Sequence, residues 1–123
     1  MLWRLKNRAP DHLVSPLLVE DRLLLAKSGG FVNCFEAGKG KRPWPQERTG
    51  NSRQVLASPV YGDGKIYVTG ENGVIVVLAG GPDFKVLAKN DMGESCIASP
   101  AIADGRLFIR TRSTLFCVGN ASE

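Results

Sequence analysis

The dipeptide Ser-Pro occurs three times in the chain and opens a similar phrase each time. The phrases begin at Ser15, Ser58 and Ser99, so that their spacings are 43 and 41 residues. Each phrase contains two short apolar segments separated by a turn signal, followed by a third apolar segment. A self-similar unit of this length is typical of repeat architectures, in which neighbouring units stack and bury a continuous core.

The second repeat shows the strand pattern of the unit most clearly. Its segments with strand character are 58–61, 66–68, 74–78 and 84–88. Asp63-Gly64 and Asn72-Gly73 separate the first three segments, and such dipeptides favour tight hairpins because Gly, Asn and Asp tolerate positive φ. The first repeat has Glu20-Asp21 at the first of these turns, so the turn is less certain there.

Four short antiparallel strands in units of this length predict the blades of a β-propeller. The expected fold class is all-β: a single partial propeller domain over residues 1–123 with about three blades. We expect repeats at about 13–55, 56–96 and 97–119, with residues 1–6 as a lone outer strand. Propellers typically have about four to eight blades, so we expect completion by missing blades or by a homo-oligomer.

The segment from Cys34 to Trp44 resembles the tryptophan-docking motif of the PQQ-type β-propeller repeat, written A-x-D-x-x-x-G-x-x-x-W. Cys34 stands at the small first position, Glu36 replaces the usual aspartate, and Gly40 and Trp44 match the motif. Trp3 stands where the docking tryptophan of a preceding blade would stand. The resemblance implies that each such tryptophan packs against the following blade.

The resemblance covers nearly the whole chain, with one departure from the motif. Residues 98–119 are similar to the closing blade of bacterial PQQ-like repeat proteins. The second repeat lacks a docking tryptophan, and Leu87 stands near the expected place. One docking contact is therefore expected to be weakened or replaced by aliphatic packing.

The resemblance leaves two functions open. PQQ-type repeats occur in quinoprotein dehydrogenases and also in a scaffold lipoprotein of outer-membrane assembly. We expect a non-catalytic scaffold that binds protein, and the alternative is a fragment of a PQQ-dependent quinoprotein dehydrogenase that lacks its cofactor site. We predict no cofactor, metal or catalytic residue, because calcium takes six to eight oxygen ligands and the acidic residues here are dispersed.

Charge and composition limit the partners further. The formal net charge is +4 without the interleaved aromatic residues that single-strand binders use, so we expect no nucleic-acid partner. The longest apolar run, 74–79, is too short for a membrane span. Relatives with this repeat are commonly exported or periplasmic, but no signal peptide is visible, so the localisation stays open.

Arg110 and Arg112 are candidate interaction residues, and the three cysteines are expected to be reduced core thiols.

Overall fold

The computed structural model describes residues 1–4, 14–51 and 53–119, and these residues form eleven strands in three antiparallel sheets. The sheets follow one another along the chain, and we call them blades 1, 2 and 3. Blade 1 contains β1 (Leu17–Val19), β2 (Arg22–Lys27), β3 (Phe31–Glu36) and β4 (Glu47–Arg48). Blade 2 contains β5 (Val60–Gly62), β6 (Lys65–Thr69), β7 (Val74–Ala79) and β8 (Val86–Asp91). Blade 3 contains β9 (Ala101–Ala103), β10 (Arg106–Arg110) and β11 (Leu115–Val118). Within the described ranges, no helix is long and apolar enough to cross a membrane.

The first turn of each blade has the same backbone conformation. Glu20, Asp63 and Asp104 have φ values of 56°, 52° and 53°, in the left-handed region. Aspartate tolerates this region well, whereas glutamate does so less often. The sequence left the first turn of blade 1 uncertain, and the structure shows that Glu20 takes the conformation of its two aspartate counterparts.

The Ser-Pro phrases place the three innermost strands side by side. The backbone N–H of Ser15 donates to Oγ of Ser58 at 3.0 Å, and the N–H of Ser58 donates to Oγ of Ser99 at 2.9 Å. Each serine therefore links its own blade to a neighbour through a backbone donor or a side-chain acceptor. We call this row of hydrogen bonds the serine ladder.

Two clusters of buried residues hold the blades together. The larger cluster, between blades 1 and 2, has ten buried members: Val19, Leu24, Ala26, Val32, Cys34, Val55, Ile66, Val68, Val76 and Leu78. The smaller cluster, between blades 2 and 3, has four: Ile75, Cys96, Leu107 and Ile109. Side chains alternate between the two faces of a strand, so each blade contributes one face to each neighbour.

One column of side chains shows which blade face is covered. Three residues hold the same register position in the third strand of their blades: Cys34, Val77 and Cys117. Each points to the face of its blade that is turned away from the preceding blade. Cys34 is fully buried and Val77 is 5% exposed, but Cys117 is exposed. The prediction of three core thiols is therefore wrong for Cys117, because no described residue covers that face of blade 3.

Three strand predictions differ from the structure. Residues 1–4 form no strand, and residues 5 and 6 lie outside the described ranges. The outer strand of blade 2 is 86–91 rather than 84–88, because its polar residues Lys89 to Asp91 complete the pairing with β7. The first strand of blade 2 is Val60–Gly62 rather than 58–61. The outer strand of blade 1, for which no range was predicted, is two residues long.

Candidate functional site

Trp3 packs on the turn that follows β3. Its indole Nε1 donates to the carbonyl oxygen of Ala37 at 2.8 Å, and its ring lies 6.3 Å from that of Phe35. Gly40 has φ of 73°, and a Cβ there would lie 2.6 Å from the indole. Only glycine combines this conformation with such a close approach of the ring.

Trp44 belongs to blade 1 but packs against blade 2. Its ring lies 5.2 Å from that of Phe84, and it borders the larger buried cluster. The indole Nε1 of Trp44 has no hydrogen-bond partner among the described residues. Gly80 of blade 2 is equivalent to Ala37 of blade 1, whose carbonyl accepts the hydrogen bond of Trp3. The carbonyl of Gly80, however, accepts a hydrogen bond from a donor other than Trp44.

That donor is the guanidinium of Arg22 in blade 1. It donates to the carbonyl oxygens of Gly80, at 2.6 Å, and of Gly81. The side chain of Arg22 is 9% exposed, and its charge also lies 3.8 Å from the carboxylate of Glu20. A buried guanidinium that meets two carbonyls of the next blade joins the two blades by charge-assisted hydrogen bonds.

The other residues of the predicted docking motif have separate places. The backbone N–H of Glu36 donates to the carbonyl of Lys41, and the carbonyl of Glu36 accepts from Gly40, so this pair shapes the turn under Trp3. Cys34 points to the opposite face of β3, toward blade 2. Burial raises the pKa of the Cys34 thiol above its usual value.

A groove separates parts of blades 2 and 3 where no tryptophan is present. It has a volume of about 1140 Å³, and its walls include Tyr67, Leu87, Ile102 and Val118. A register shift between Val77 and Leu78 leaves Leu87 unpaired and 44% exposed. We call this feature the blade 2–3 groove. The missing tryptophan gave the sequence signal for it, but the bulge could not be predicted.

Glu94 lies in the connection between blades 2 and 3. Its carboxylate accepts hydrogen bonds from Ser113 Oγ and, at 2.6 Å, from Thr111 Oγ1. These two hydroxyls, Ser113 first, lower the pKa of Glu94 to about 2. The arrangement fixes the β10–β11 turn to the connection, and sequence reasoning missed it because the three residues carry no recognisable motif.

The two candidate interaction arginines lie at one end of blade 3. Arg110 is exposed on β10, on the face turned away from blade 2. Arg112 is exposed in the turn after β10, and its backbone N–H donates to the carbonyl of Ser95. The residues that the structure describes contain no group of three or more His, Cys, Asp or Glu side chains suited to a metal ion.

Comparison with solved structures identifies the class of fold: three consecutive β-propeller blades. BamB from Moraxella catarrhalis is similar over 92% of this chain and 35% of its own, with 18% identity and a TM-score of 0.72. The quinohemoprotein alcohol dehydrogenase ADHIIG from Pseudomonas putida HK5 is similar over 78% of this chain and 16% of its own, with 14% identity and a TM-score of 0.62. No family model and no curated protein matches the sequence.

These similarities support the resemblance to PQQ-type propellers at the level of the fold. The chain has the fold of a partial propeller, and it spans about a third of the length of the BamB chain. A third neighbour, the computationally designed Ika4 protein, is similar over 97% of both chains, with 9% identity and a TM-score of 0.60.

Proposed function

We propose that the chain is a non-catalytic propeller unit that acts as a protein-binding scaffold through the open face of blade 3. The observation that carries the proposal is the column of Cys34, Val77 and Cys117. The first two are buried by the following blade, and the third lies uncovered on an equivalent surface. A face built like two faces that bind a blade is suited to bind another blade.

The chemistry of the open face agrees with this role. Phe108 and Cys117 pair across β10 and β11, and Arg110 pairs with Leu115, which is 71% exposed. Arg106 stands at the position that Arg22 has in blade 1, at the start of the second strand. An arginine here would reach the turn carbonyls of a following blade as Arg22 reaches those of Gly80 and Gly81.

The proposed partner supplies further blades, either from a second copy of this chain or from the remaining blades of a larger propeller. In both cases the N–H of Ser99 would continue the serine ladder by donating to the next blade. A head-to-tail contact between copies uses two different surfaces and closes into a ring when the rotation permits. The alternative, a quinoprotein dehydrogenase fragment, is favoured only by the similarity to the alcohol dehydrogenase fold.

Light scattering on the purified chain tests self-association. The protomer mass is 13.3 kDa, and we expect a defined multiple of it at micromolar concentration. Phe108→Asp should return the protomer mass, because a carboxylate on the open face opposes its burial. Ile97→Asp is the control, since Ile97 is 64% exposed and lies off that face. A protomer mass for the unmodified chain contradicts self-association.

A thermal shift experiment with PQQ and Ca²⁺ tests the alternative. We expect the unfolding midpoint to stay unchanged at saturating cofactor, since ligands that bind only the folded state raise it. A saturable rise with PQQ and Ca²⁺ together, but not with either alone, would favour the dehydrogenase fragment over the scaffold.

A further inference from the structure

The row of three blades ends in two uncovered faces, of which the first is the open face of blade 3. Leu115 on this face is 71% exposed, whereas its counterparts Ile75 in blade 2 and Val32 in blade 1 are 1% and 0% exposed. The three are equivalent because each stands two residues before the position of Cys117 in its own blade. This position is therefore buried wherever a following blade is present.

The second uncovered face belongs to blade 1 and is turned away from blade 2. We call it the front face of blade 1, and it carries Leu18, Leu23 and Leu25. Leu18 is 60% exposed, and the other two are half-buried. The counterparts of the latter two in blade 2, Ile66 and Val68, pack toward blade 1 and are 2% and 4% exposed. Apolar side chains that are buried inside the row are thus accessible on its first blade.

The two uncovered faces are of the kinds that meet inside the chain. Between blades 1 and 2, and again between blades 2 and 3, the equivalent of the open face packs against the equivalent of the front face. A contact between the uncovered faces of two copies therefore repeats an interface that the chain forms twice. Propellers typically have about four to eight blades, and two copies supply six blades whereas three copies supply nine. A ring of two copies is the closure that fits.

The serine ladder has the polarity that such a contact requires. It uses the backbone N–H of Ser15 at one end and Oγ of Ser99 at the other. Within the described ranges, Oγ of Ser15 and the N–H of Ser99 have no hydrogen-bond partner. An acceptor is therefore free on blade 1 and a donor on blade 3, so that Ser99 of one copy can donate to Ser15 of another. Two open faces brought together would instead place two donors side by side.

Trp3 lies on the front face of blade 1 in the manner of a docking residue. Trp44 belongs to blade 1 and packs on the turn after β7 of blade 2, where its ring lies 5.2 Å from that of Phe84. Trp3 packs on the equivalent turn after β3, where its indole donates to Ala37 at 2.8 Å, and no described blade lies on its other side. The chain has two tryptophans, and neither belongs to blade 3. Trp3 is thus placed to act as the docking residue that blade 3 lacks.

We propose that the open face of blade 3 binds the front face of blade 1 of a second copy, so that two chains close a ring of six blades. In this ring, Trp3 of one copy lies between the two faces and serves as the docking tryptophan of the other copy's blade 3. The ring rests on the function proposed above, since it names what covers the same open face. The contact is head-to-tail and forms twice, so that each copy supplies one face to each contact.

Arg106 gives each contact a polar anchor. It is equivalent to Arg22, whose guanidinium donates to two turn carbonyls of blade 2. The equivalent turn carbonyls of blade 1 are those of Ala37 and Gly38. A carbonyl oxygen has two lone pairs, so that Ala37 can accept from a guanidinium as well as from Trp3. In the ring, Arg106 of one copy therefore donates to the turn on which Trp3 of the other copy packs.

Light scattering on two single-face variants and on their mixture tests the ring. Leu18→Asp places a carboxylate on the front face and Phe108→Asp places one on the open face, which opposes burial of either face. Leu18 is 60% exposed, so that the protomer itself tolerates the charge. We expect twice the protomer mass of 13.3 kDa for the unmodified chain and the protomer mass for each variant alone. An equimolar mixture should again give twice the protomer mass, because one contact of the mixed pair joins two unmodified faces.

The outcomes distinguish the ring from the function on which it rests. If Leu18→Asp leaves the association of the chain unchanged, the open face binds another surface and the ring is wrong, while the scaffold function stands. The ring is also wrong if the mixture keeps the protomer mass. A protomer mass for the unmodified chain contradicts the ring and self-association alike. Ile97→Asp should associate like the unmodified chain, since Ile97 is 64% exposed and lies on neither face.

Acrylamide quenching of fluorescence reports on Trp3 directly. In Trp44→Phe the emission comes from Trp3 alone, and we expect its quenching constant to fall on association, because blade 3 of the second copy covers the indole. Trp3→Phe is the matched control, since it leaves Trp44, whose contacts lie within one copy and should not change with concentration. Equal quenching of Trp3 in the dissociated and associated states would overturn its docking role.

Arg106→Ala tests the polar anchor. We expect the dissociation constant of the ring to rise about tenfold, because charge-assisted hydrogen bonds are lost at both contacts. Arg53→Ala is the control, since Arg53 is an exposed cation in the connection between blades 1 and 2 and lies on neither face. An unchanged dissociation constant for Arg106→Ala would contradict the contact between its guanidinium and the second copy.

Discussion

The two interfaces between blades share a backbone plan but differ in the side chains that fill them. Each has one bond of the serine ladder, and each is built from equivalent strand faces. The interface of blades 1 and 2 adds Trp44, the guanidinium of Arg22 and ten buried cluster residues. The interface of blades 2 and 3 has Leu87, Lys65 and four buried cluster residues at corresponding places, with a groove between them.

This difference indicates that the blade architecture is determined by the backbone pairing and the short turns rather than by particular side chains between blades. The filled interface has tryptophan and arginine where the open interface has leucine and lysine, and the strand order is the same in both blades. A propeller can therefore lose side-chain anchors at one interface and retain its architecture, because ladder hydrogen bonds and neighbouring blades still fix the strands.

The largest expected difference in stability is between alanine variants of Trp44 and of Leu87. Trp44→Ala should lower the free energy of unfolding by about 3 kcal/mol, because it removes a large ring beside Phe84 and leaves a cavity. Leu87→Ala, at the equivalent position, should cost less than about 1 kcal/mol because Leu87 is already 44% exposed. Urea denaturation of the two variants measures the difference, and equal losses would show that the interfaces are equally filled.

The second comparison concerns the cations at the start of β2 and β6. Arg22→Ala should cost about 2 kcal/mol, because two carbonyls of blade 2 lose a charged donor. Lys65→Ala should cost less than about 0.5 kcal/mol, since Lys65 is half-exposed and only approaches Asp63. Denaturation midpoints measure both. Arg22→Lys should fall between them, because an ammonium cannot present the two aligned donors of a guanidinium. Full retention of stability in Arg22→Lys would show that charge alone joins the blades.

The blade order was predictable from the sequence because the signals for it are local. Ser-Pro phrases and Asp-Gly or Asn-Gly turns recur at fixed positions, and β6 and β7 form within a residue of their predicted ranges. The outer strands were less predictable. Lys89, Asn90 and Asp91 are poor strand formers, and they pair with β7 only because that strand is already in place.

The candidate site depended on contacts that cross between repeats and was therefore harder to predict. Trp3 and Trp44 could be recognised from the motif, but the role of Arg22 could not, because its partners are backbone carbonyls nearly 60 residues away. Residues 1–4 have no strand structure, since Trp3 contacts blade 1 through its indole rather than through backbone pairing. Cys117 is exposed because no described residue covers that face of blade 3. The residues of blade 3 alone do not show whether another blade covers them.

Removing one hydrogen bond of the serine ladder should lower the free energy of unfolding by the same amount at both interfaces. Ser58→Ala removes the acceptor between blades 1 and 2, and Ser99→Ala removes the one between blades 2 and 3. We expect each variant to lose about 0.5–1 kcal/mol in urea denaturation, as for a single neutral hydrogen bond. Ser15→Ala is the control, because Ser15 takes part through its backbone N–H, which alanine keeps. Unequal losses of stability in Ser58→Ala and Ser99→Ala would show that the two interfaces also differ in their backbone hydrogen bonds.

The smallest expected effect is a dependence on pH that only one interface should show. Glu94 holds Ser113 and Thr111 between blades 2 and 3, whereas the equivalent Asn51 forms reciprocal 3.1 Å hydrogen bonds with Asn72 between blades 1 and 2. The hydroxyls of Ser113 and Thr111 lower the pKa of Glu94 from an ordinary 4.5 to about 2. Because the folded-state pKa is the lower one, the stabilisation is complete above about pH 4.5 and is lost as the pH falls toward 2.

The Glu94→Gln variant separates the pH-dependent stabilisation by Glu94 from that of the other carboxylates. The difference in urea midpoint between the unmodified chain and Glu94→Gln should shrink as the pH is lowered from 5 to 2. The same difference for Asn51→Ala should stay constant, because no group in the Asn51–Asn72 pair titrates. Carboxyl ¹³C NMR measures the Glu94 pKa directly, and a value near 4.5 would mean that the two connections hold their blades by interactions of the same, pH-independent kind.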